Sequence, residues 1–275
     1  MKRRWLTIAM LISALLLGGP PAHAAGARGF TVTKAQSELI SAFARQHPLD
    51  LAGLDGLVHQ FTGEHMQVSI NGVAGTIDGV QAQRLMDTRW QERRSHRSAG
   101  TISPLSTVPL DAYTVAISWL PLYGPPPQVK AHGVWDFRDN YVNGSAPDDF
   151  ANVEILRGCS QIISTTTLTF DYTGRQTSNA AYLQDGGLIS GAPISGVRDR
   201  VSGFVMSTDH GTMDVVVQNG AGCGTHSIVA AFKYEHNQDG GSVLGVSAGW
   251  GSLSVSYSSV GGRLQKGTNP IYRTL

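Results

Sequence analysis

The chain reads as a mainly β protein: an antiparallel β-sandwich of the jelly-roll or Greek-key type, preceded by a small mixed α/β N-terminal segment. Three observations lead there. From Val108 onward, short runs of β-forming residues alternate apolar with polar and are broken by Gly, Pro, Asn and Asp. The 275 residues include 33 Gly and 12 Pro, a composition of turns rather than long helices. Ahead of residue 108, apolar residues recur at helical spacing instead. An apolar share of 41% excludes wholesale disorder. Lys+Arg 21 against Asp+Glu 20 gives a charge of +1, so no nucleic-acid partner is expected.

Residues 1–24 have the order of a signal peptide. Lys2, Arg3 and Arg4 precede an apolar run from Leu6 to Leu17, Pro20 and Pro21 break it, and Ala22-His23-Ala24 supplies small residues for cleavage before Ala25. The run is short for the ~30 Å of a hydrocarbon core, and no later stretch is longer, so no stable membrane span is expected. Loss of the three basic residues carries the formal charge from +1 to −2. The product is expected to be secreted or periplasmic.

Residues 25–107 form the mixed segment. Thr33 and Gln36 have capping-box spacing, and Ala35, Leu39, Ile40 and Phe43 follow at helical intervals. Past Pro48, the residues Leu51, Leu54, Leu57 and Val58 predict a second helix. Asn71-Gly72 between Val68, Ile70 and Val73 predicts a hairpin. Asp78 is placed to cap a third helix bearing Ala82, Leu85, Met86 and Trp90. That helix ends in Arg89, Arg93, Arg94 and Arg97, a basic stripe read as a solvated face running into a cleavable linker up to Gly100. Residues 25–97 are thus expected to be separable, in the manner of a pro-segment.

Residues 108–275 form the sandwich, with about nine or ten strands expected from the spacing of turn signals. Tyr113–Leu120, Val129–Phe137, the run from Ile162 to Tyr172, Ile228–Glu235, Leu244–Trp250 and Leu253–Tyr257 all alternate. His210 is expected in a turn before Met213–Val217.

Catalytic templates fail in turn. Gly245-Val246-Ser247-Ala248-Gly249 matches a nucleophile elbow, but no Asp, Glu or His follows Ser247 and no helix begins there. Glu64-His65 and Glu235-His236 lack the second His of a zinc-protease helix. Lys266-Gly267-Thr268 is out of order for a phosphate loop. Asp209-His210-Gly211-Thr212 lacks the companion serine motif of subtilisin-like proteases.

The densest polar stretch runs from Asp136 to Glu154 and is read as a loop. Asp136, Asp139, Asp148 and Asp149 are hard oxygen donors of the kind Ca2+ takes, although the EF-hand spacing fails at Tyr141 and Phe150. Paired carboxylates there also suit hydrolytic chemistry, and turn formation by Asp and Asn accounts for the same residues without either. No cofactor other than Ca2+ is indicated. Tyr123 and Tyr141, in loop-like contexts, are the aromatics expected to be exposed for ligand stacking. The alternating Val243–Tyr257 hairpin has the texture of an ordinary half-buried hairpin or of a membrane-inserting one.

Cys159 and Cys223 are the only cysteines, and an exported chain puts them in an oxidising compartment, so they are expected to form a disulfide. The function expected is that of a secreted, non-enzymatic β-sandwich binding module for glycan or cell-surface ligands. The alternatives are a secreted hydrolase using carboxylates near Asp136–Asp149 and a membrane-acting secreted toxin.

Overall fold

A computed structural model describes residues 31–95, 110–137, 148–178, 180–184, 190–191, 193–199, 201–202, 205–238, 241–250, 252–259 and 262–275. The signal peptide, Arg97–Gly100 of the linker, Asp139 and Tyr141 lie outside these residues. The N-terminal part comprises α1 (Lys34–Gln46), α2 (Leu51–Thr62), β1 (Gln67–Ile70), β2 (Ile77–Asp78) and α3 (Gly79–Ser95). Next come β3 (Tyr113–Leu122), β4 (Gln128–Phe137), β5 (Asp149–Leu156), β6 (Gln161–Phe170), β7 (Gln176–Thr177), β8 (Ala180–Gln184) and β9 (Ser190–Gly191). The chain continues through β10 (Ile194–Val197), β11 (Val201–Ser202), β12 (Val205–Met206), β13 (His210–Gln218) and β14 (Ser227–Gln238). It closes with β15 (Val243–Gly249), β16 (Ser252–Tyr257), β17 (Gly262–Gly267) and β18 (Ile271–Thr274).

Two antiparallel sheets stack. The first has the order β2-β1-β3-β4-β13-β6-β7 and the second β17-β14-β5-β10-β8, with β18 on β14 and β9 on β5. The mainly β, antiparallel class expected from the sequence is what the chain adopts. The sheets meet through Val115, Ile117, Trp119, Trp135 and Val215 on one side and Val153, Ala230, Phe232 and Tyr234 on the other. Gly133 sits in this interface, where a Cβ would come within 2.6 Å of the Phe232 ring. Its hydrogen substituent is what lets the ring approach the first sheet.

The opposite face of the first sheet is also covered. Ala116, Leu120 and Val134 pack under Ile40, Ala44, Leu54, Val58 and Met86 of the three helices. Strand β3 is therefore buried on both faces, and its alternation separates two cores rather than core from water. The N-terminal segment is tied in further by β1, which pairs with β3 from Val68↔Ser118 to Ile70↔Ala116. The segment expected to be separable thus shares a sheet and a core with the strands that follow it.

Local signals hold where chemistry demanded one outcome. The Thr33 capping box forms: the Thr33 side chain accepts from the Gln36 N–H and the Gln36 side chain accepts from the Thr33 N–H. Asp50 caps α2, and Asp78 accepts from Gln81 N at 2.7 Å ahead of α3. The buried face of α1 is Ser37, Ile40 and Ala44, with Leu39 56% exposed, so the apolar stripe lies one position round from the expected one. Gly72 takes its turn at φ 74°, yet β1 pairs with Ile77 and Asp78 through a six-residue connection, not the two-residue hairpin expected at Asn71-Gly72. Arg89 donates to the Asn71 carbonyl at 3.1 Å, which gives one residue of the basic stripe a structural partner.

Among the described residues, strands β15 and β16 pair only with each other, and they lie over the outer face of the second sheet. Leu253 and Val255 pack on Phe150 and Ile194, while Leu244 and Trp250 face solvent. Ser247 lies within β15 opposite Ser254, a strand position and not an elbow. Cys159 and Cys223 form the expected disulfide, with Cα atoms 6.2 Å apart. No helix among the described residues is long and apolar enough to cross a membrane.

Candidate functional site

Among its described residues, the polar stretch read as a loop is mostly strand. Asp136 belongs to β4, and Asp149, Asn152 and Glu154 belong to β5, an interior strand of the second sheet where all three are buried. Burial is tolerated because each finds a partner on, or directly before, a neighbouring strand. Asn152 donates to the Pro193 carbonyl at 3.0 Å, and Glu154 pairs with Lys233 at 2.9 Å. Asp149 accepts from Tyr234 Oη at 2.9 Å, His236 Nδ1 at 2.7 Å and the Asn237 N–H at 2.8 Å.

This network closes one end of the sandwich. The His236 ring stands edge-on against Phe137 at 4.9 Å and Tyr113 at 6.3 Å. Burial, followed by the charge of Asp149, pushes the phenols of Tyr113 and Tyr234 well above their usual range, so both act as neutral donors. Asp149, Asp199 and His236 bring one donor atom each within 4.8 Å of one another, all buried.

A second group lies at the same end, on the first sheet. His210 is the first residue of β13 and not a turn residue, since its backbone pairs with Asp136 on one side and Phe170 on the other. Its ring stacks on Phe170 with centroids 5.2 Å apart, and Nδ1 lies 3.3 Å from Asp209 Oδ2. Asp136, Asp209 and His210 again bring donor atoms within 4.8 Å. The sequence singled out Asp136 and Asp149 but split neither from the other; the fold assigns them to different sheets and gives each a histidine.

Of the four carboxylates proposed for Ca2+, the three described ones, Asp136, Asp148 and Asp149, are not gathered in one group. Asp148 pairs with Arg198 at 3.6 Å, and Asp136 and Asp149 fall in separate groups. Two carboxylates and an imidazole are fewer oxygens than Ca2+ takes, and the mixed N/O set suits a transition metal better. Tyr123 is exposed, as expected, but stands in the β3–β4 turn at the opposite end of the sandwich. Asp199 had no sequence signal; Asp209 and His236 stood in Asp209-His210-Gly211-Thr212 and Glu235-His236, motifs that failed their templates, and the groups they join draw Asp136 and Asp149 from strands far apart in the chain.

No family model and no curated protein matches the chain. Among solved structures, Clostridium perfringens delta-toxin is similar at 7% identity and a TM-score of 0.24, over 59% of this chain and 82% of the toxin. A structure described as AvmM, which catalyses macrocyclization in alchivemycin A biosynthesis, is similar at 9% identity and a TM-score of 0.23, over 44% and 73%. At TM-scores this low neither likeness bears on fold or function.

A Ser-His-Asp row also crosses the first sheet. Ser118, His132 and Asp214 are register neighbours on β3, β4 and β13. His132 Nδ1 meets Asp214 Oδ1 at 2.6 Å, but Ser118 Oγ and His132 Nε2 are buried without a hydrogen bond to any described residue. The row lies in the layer covered by α1, from which Ser41 reaches Lys130. It is a packed, buried polar row.

Proposed function

We propose that the protein is an exported β-sandwich binding module that takes glycan or cell-surface ligands at the end where Asp136, Asp209 and His210 meet. The observation that carries this reading is that grouping itself. Two carboxylates and an imidazole stand together at strand ends, Asp136 6%, Asp209 9% and His210 9% exposed, polar groups of the kind that bind sugar hydroxyls. The signal-peptide pattern and the disulfide support export.

Two other readings receive less support. Asp149 commits its oxygens to three donors, which weighs against a carboxylate hydrolase built on it. The β15–β16 strands have seven and six residues, short of the ~9–11 that a spanning strand needs, and their apolar side already rests on the second sheet.

A glycan array probed with the purified protein tests the proposal. Retention of a defined glycan class is expected, weakened about tenfold or more by Asp209→Asn or His210→Ala at unchanged melting temperature, since each removes a polar anchor. An empty array, or binding indifferent to both variants, overturns it.

A further inference from the structure

At the opposite end of the sandwich, Ser160 Oγ lies 2.7 Å from His226 Nε2, and His226 Nδ1 lies 3.0 Å from the Gly224 carbonyl oxygen. A carbonyl only accepts, so Nδ1 carries a hydrogen. In the neutral ring Nε2 is then the acceptor, and the Ser160 hydroxyl donates to it. A hydroxyl, a base within reach of its proton and a third group fixing the ring tautomer are the three parts of an activated serine. No sequence motif marks them, because 66 positions separate Ser160 from His226.

The surroundings fix all three. Ser160 closes a turn through its N–H to the Arg157 carbonyl at 2.9 Å, directly before β6. His226 directly precedes β14 and exchanges two backbone hydrogen bonds with Leu275, at 3.0 and 2.9 Å. The disulfide joins the residue before Ser160 to the residue before Gly224, so one crosslink ties nucleophile to orienting carbonyl. Gly158, at φ 54°, leaves the His226 ring its place, since a Cβ there would lie 3.3 Å from it. Gly158, Cys159, Gly224 and Thr225 around the pair are exposed, whereas Ser160 is only 3% exposed, which restricts acyl donors to small ones.

We propose that Ser160 and His226 form a nucleophile–base pair that accepts acyl groups from small carboxylic esters. Ser160 Oγ bonds to the ester carbonyl carbon as its proton passes to His226 Nε2. The carbon–alkoxide bond breaks, and the leaving alkoxide takes that proton as an alcohol. Water then attacks the acyl-serine by the same route, releasing the carboxylic acid and restoring the hydroxyl. The orienting group is a neutral carbonyl and not a carboxylate, so the imidazolium formed in each step is less stabilised than in a full triad. Esters, with their better leaving groups, are therefore the substrate class, and amides are not. This activity is independent of ligand binding at the other end of the molecule.

The native, disulfide-bonded protein treated with an alkyl fluorophosphonate tests the pair directly: Ser160 Oγ displaces fluoride at phosphorus, and HF leaves. Peptide mass spectrometry is expected to find one adduct per chain, on Ser160, absent from Ser160→Ala. Labelling and p-nitrophenyl acetate hydrolysis are both expected to fall about 100-fold in His226→Gln, the scale of general-base assistance. If that variant fails to fold, an adduct on Ser160 in native but not urea-unfolded wild type supports the proposal. No adduct on Ser160 in the native protein, or equal labelling rates in wild type and folded His226→Gln, overturns it.

Discussion

His132 and Asp214 face each other across β4 and β13, Nδ1 to Oδ1 at 2.6 Å, while Lys130 Nζ lies 3.1 Å from the other carboxylate oxygen. All three are buried beneath the helical layer. Burial alone would raise the Asp214 carboxyl, but attraction and hydrogen bonding to His132, joined by Lys130, outweigh it and hold the group below the usual carboxylate range. A carboxyl depressed by folding stabilises fully above its unfolded value, and the contribution is lost as pH falls through the folded value. Wild type is therefore expected to lose stability steeply in acid, below the usual carboxylate range. Asp214→Asn should flatten that acid limb while costing about 3–5 kcal/mol at neutral pH, because Lys130 stays buried without its counter-charge. Urea melts across the acid range check both; parallel limbs in the two proteins would exclude this origin.

The disulfide joins residues 64 apart. In the chain-entropy account, closing a loop of that length stabilises by about 4 kcal/mol. For a chain of this size the loss corresponds to roughly 10 °C in melting temperature. The double variant Cys159→Ser/Cys223→Ser is expected to melt lower by that order, and thiol counting of denatured, non-reduced wild type should find no free thiol. An unchanged melt would mean that the crosslink does not constrain the unfolded chain.

Glu235 behaves in the opposite sense to Asp214. Burial raises its carboxyl more than the hydrogen bonds from Tyr257 at 3.0 Å and Gln265 at 2.8 Å lower it, and the net shift is upward. A carboxyl raised by folding favours the native state below its unfolded value, and that contribution is lost as pH rises through the folded value. Glu235→Gln is expected to melt a few degrees above wild type at neutral pH and level with it in acid. Tyr257→Phe removes the donor to Glu235 Oε1, leaving the one from Gln265, and should loosen the β15–β16 hairpin, read as faster amide exchange in residues 243–257 at unchanged global stability.

Legibility followed the range of the interactions. Thr33 with Gln36 and Asp78 with Gln81 are contacts within one turn, so residue type and spacing sufficed. The alternation of β3 and β4 marked both as strands. It could not reveal that Ala116 and Val134 face a second core, since apolar residues on both faces look alike whether helices or a sheet cover them. Strand β5 was hidden because Asp149, Asn152 and Glu154 carry the signature of a loop, and partners that include Tyr234, His236, Asn237, Lys233 and the Pro193 carbonyl make their burial tolerable. Asp136 was legible as a polar site residue, yet its grouping with Asp209 and His210 needed the β4–β13 register.

A close approach between the sheets tests the sandwich as a packed object. Gly133 stands in register between Ile117 and Met213, and the Phe232 ring occupies the space its side chain would fill, 20° from parallel with Trp135. Gly133→Ala would put a methyl 2.6 Å from Phe232 Cδ2, so either the ring leaves its rotamer or the sheets separate locally. Overpacking of this kind costs about 1–3 kcal/mol. Phe232→Leu alone creates a void of comparable cost, but the two changes meet in one space and should compensate. The double variant is expected to be more stable than the sum of the single losses by about 1 kcal/mol or more, a coupling that residues in contact show and distant ones do not. Urea midpoints for the four proteins of the cycle measure it; strictly additive losses would mean that Gly133 and Phe232 do not meet, and the stacking of β4 on β14 would have to be redrawn.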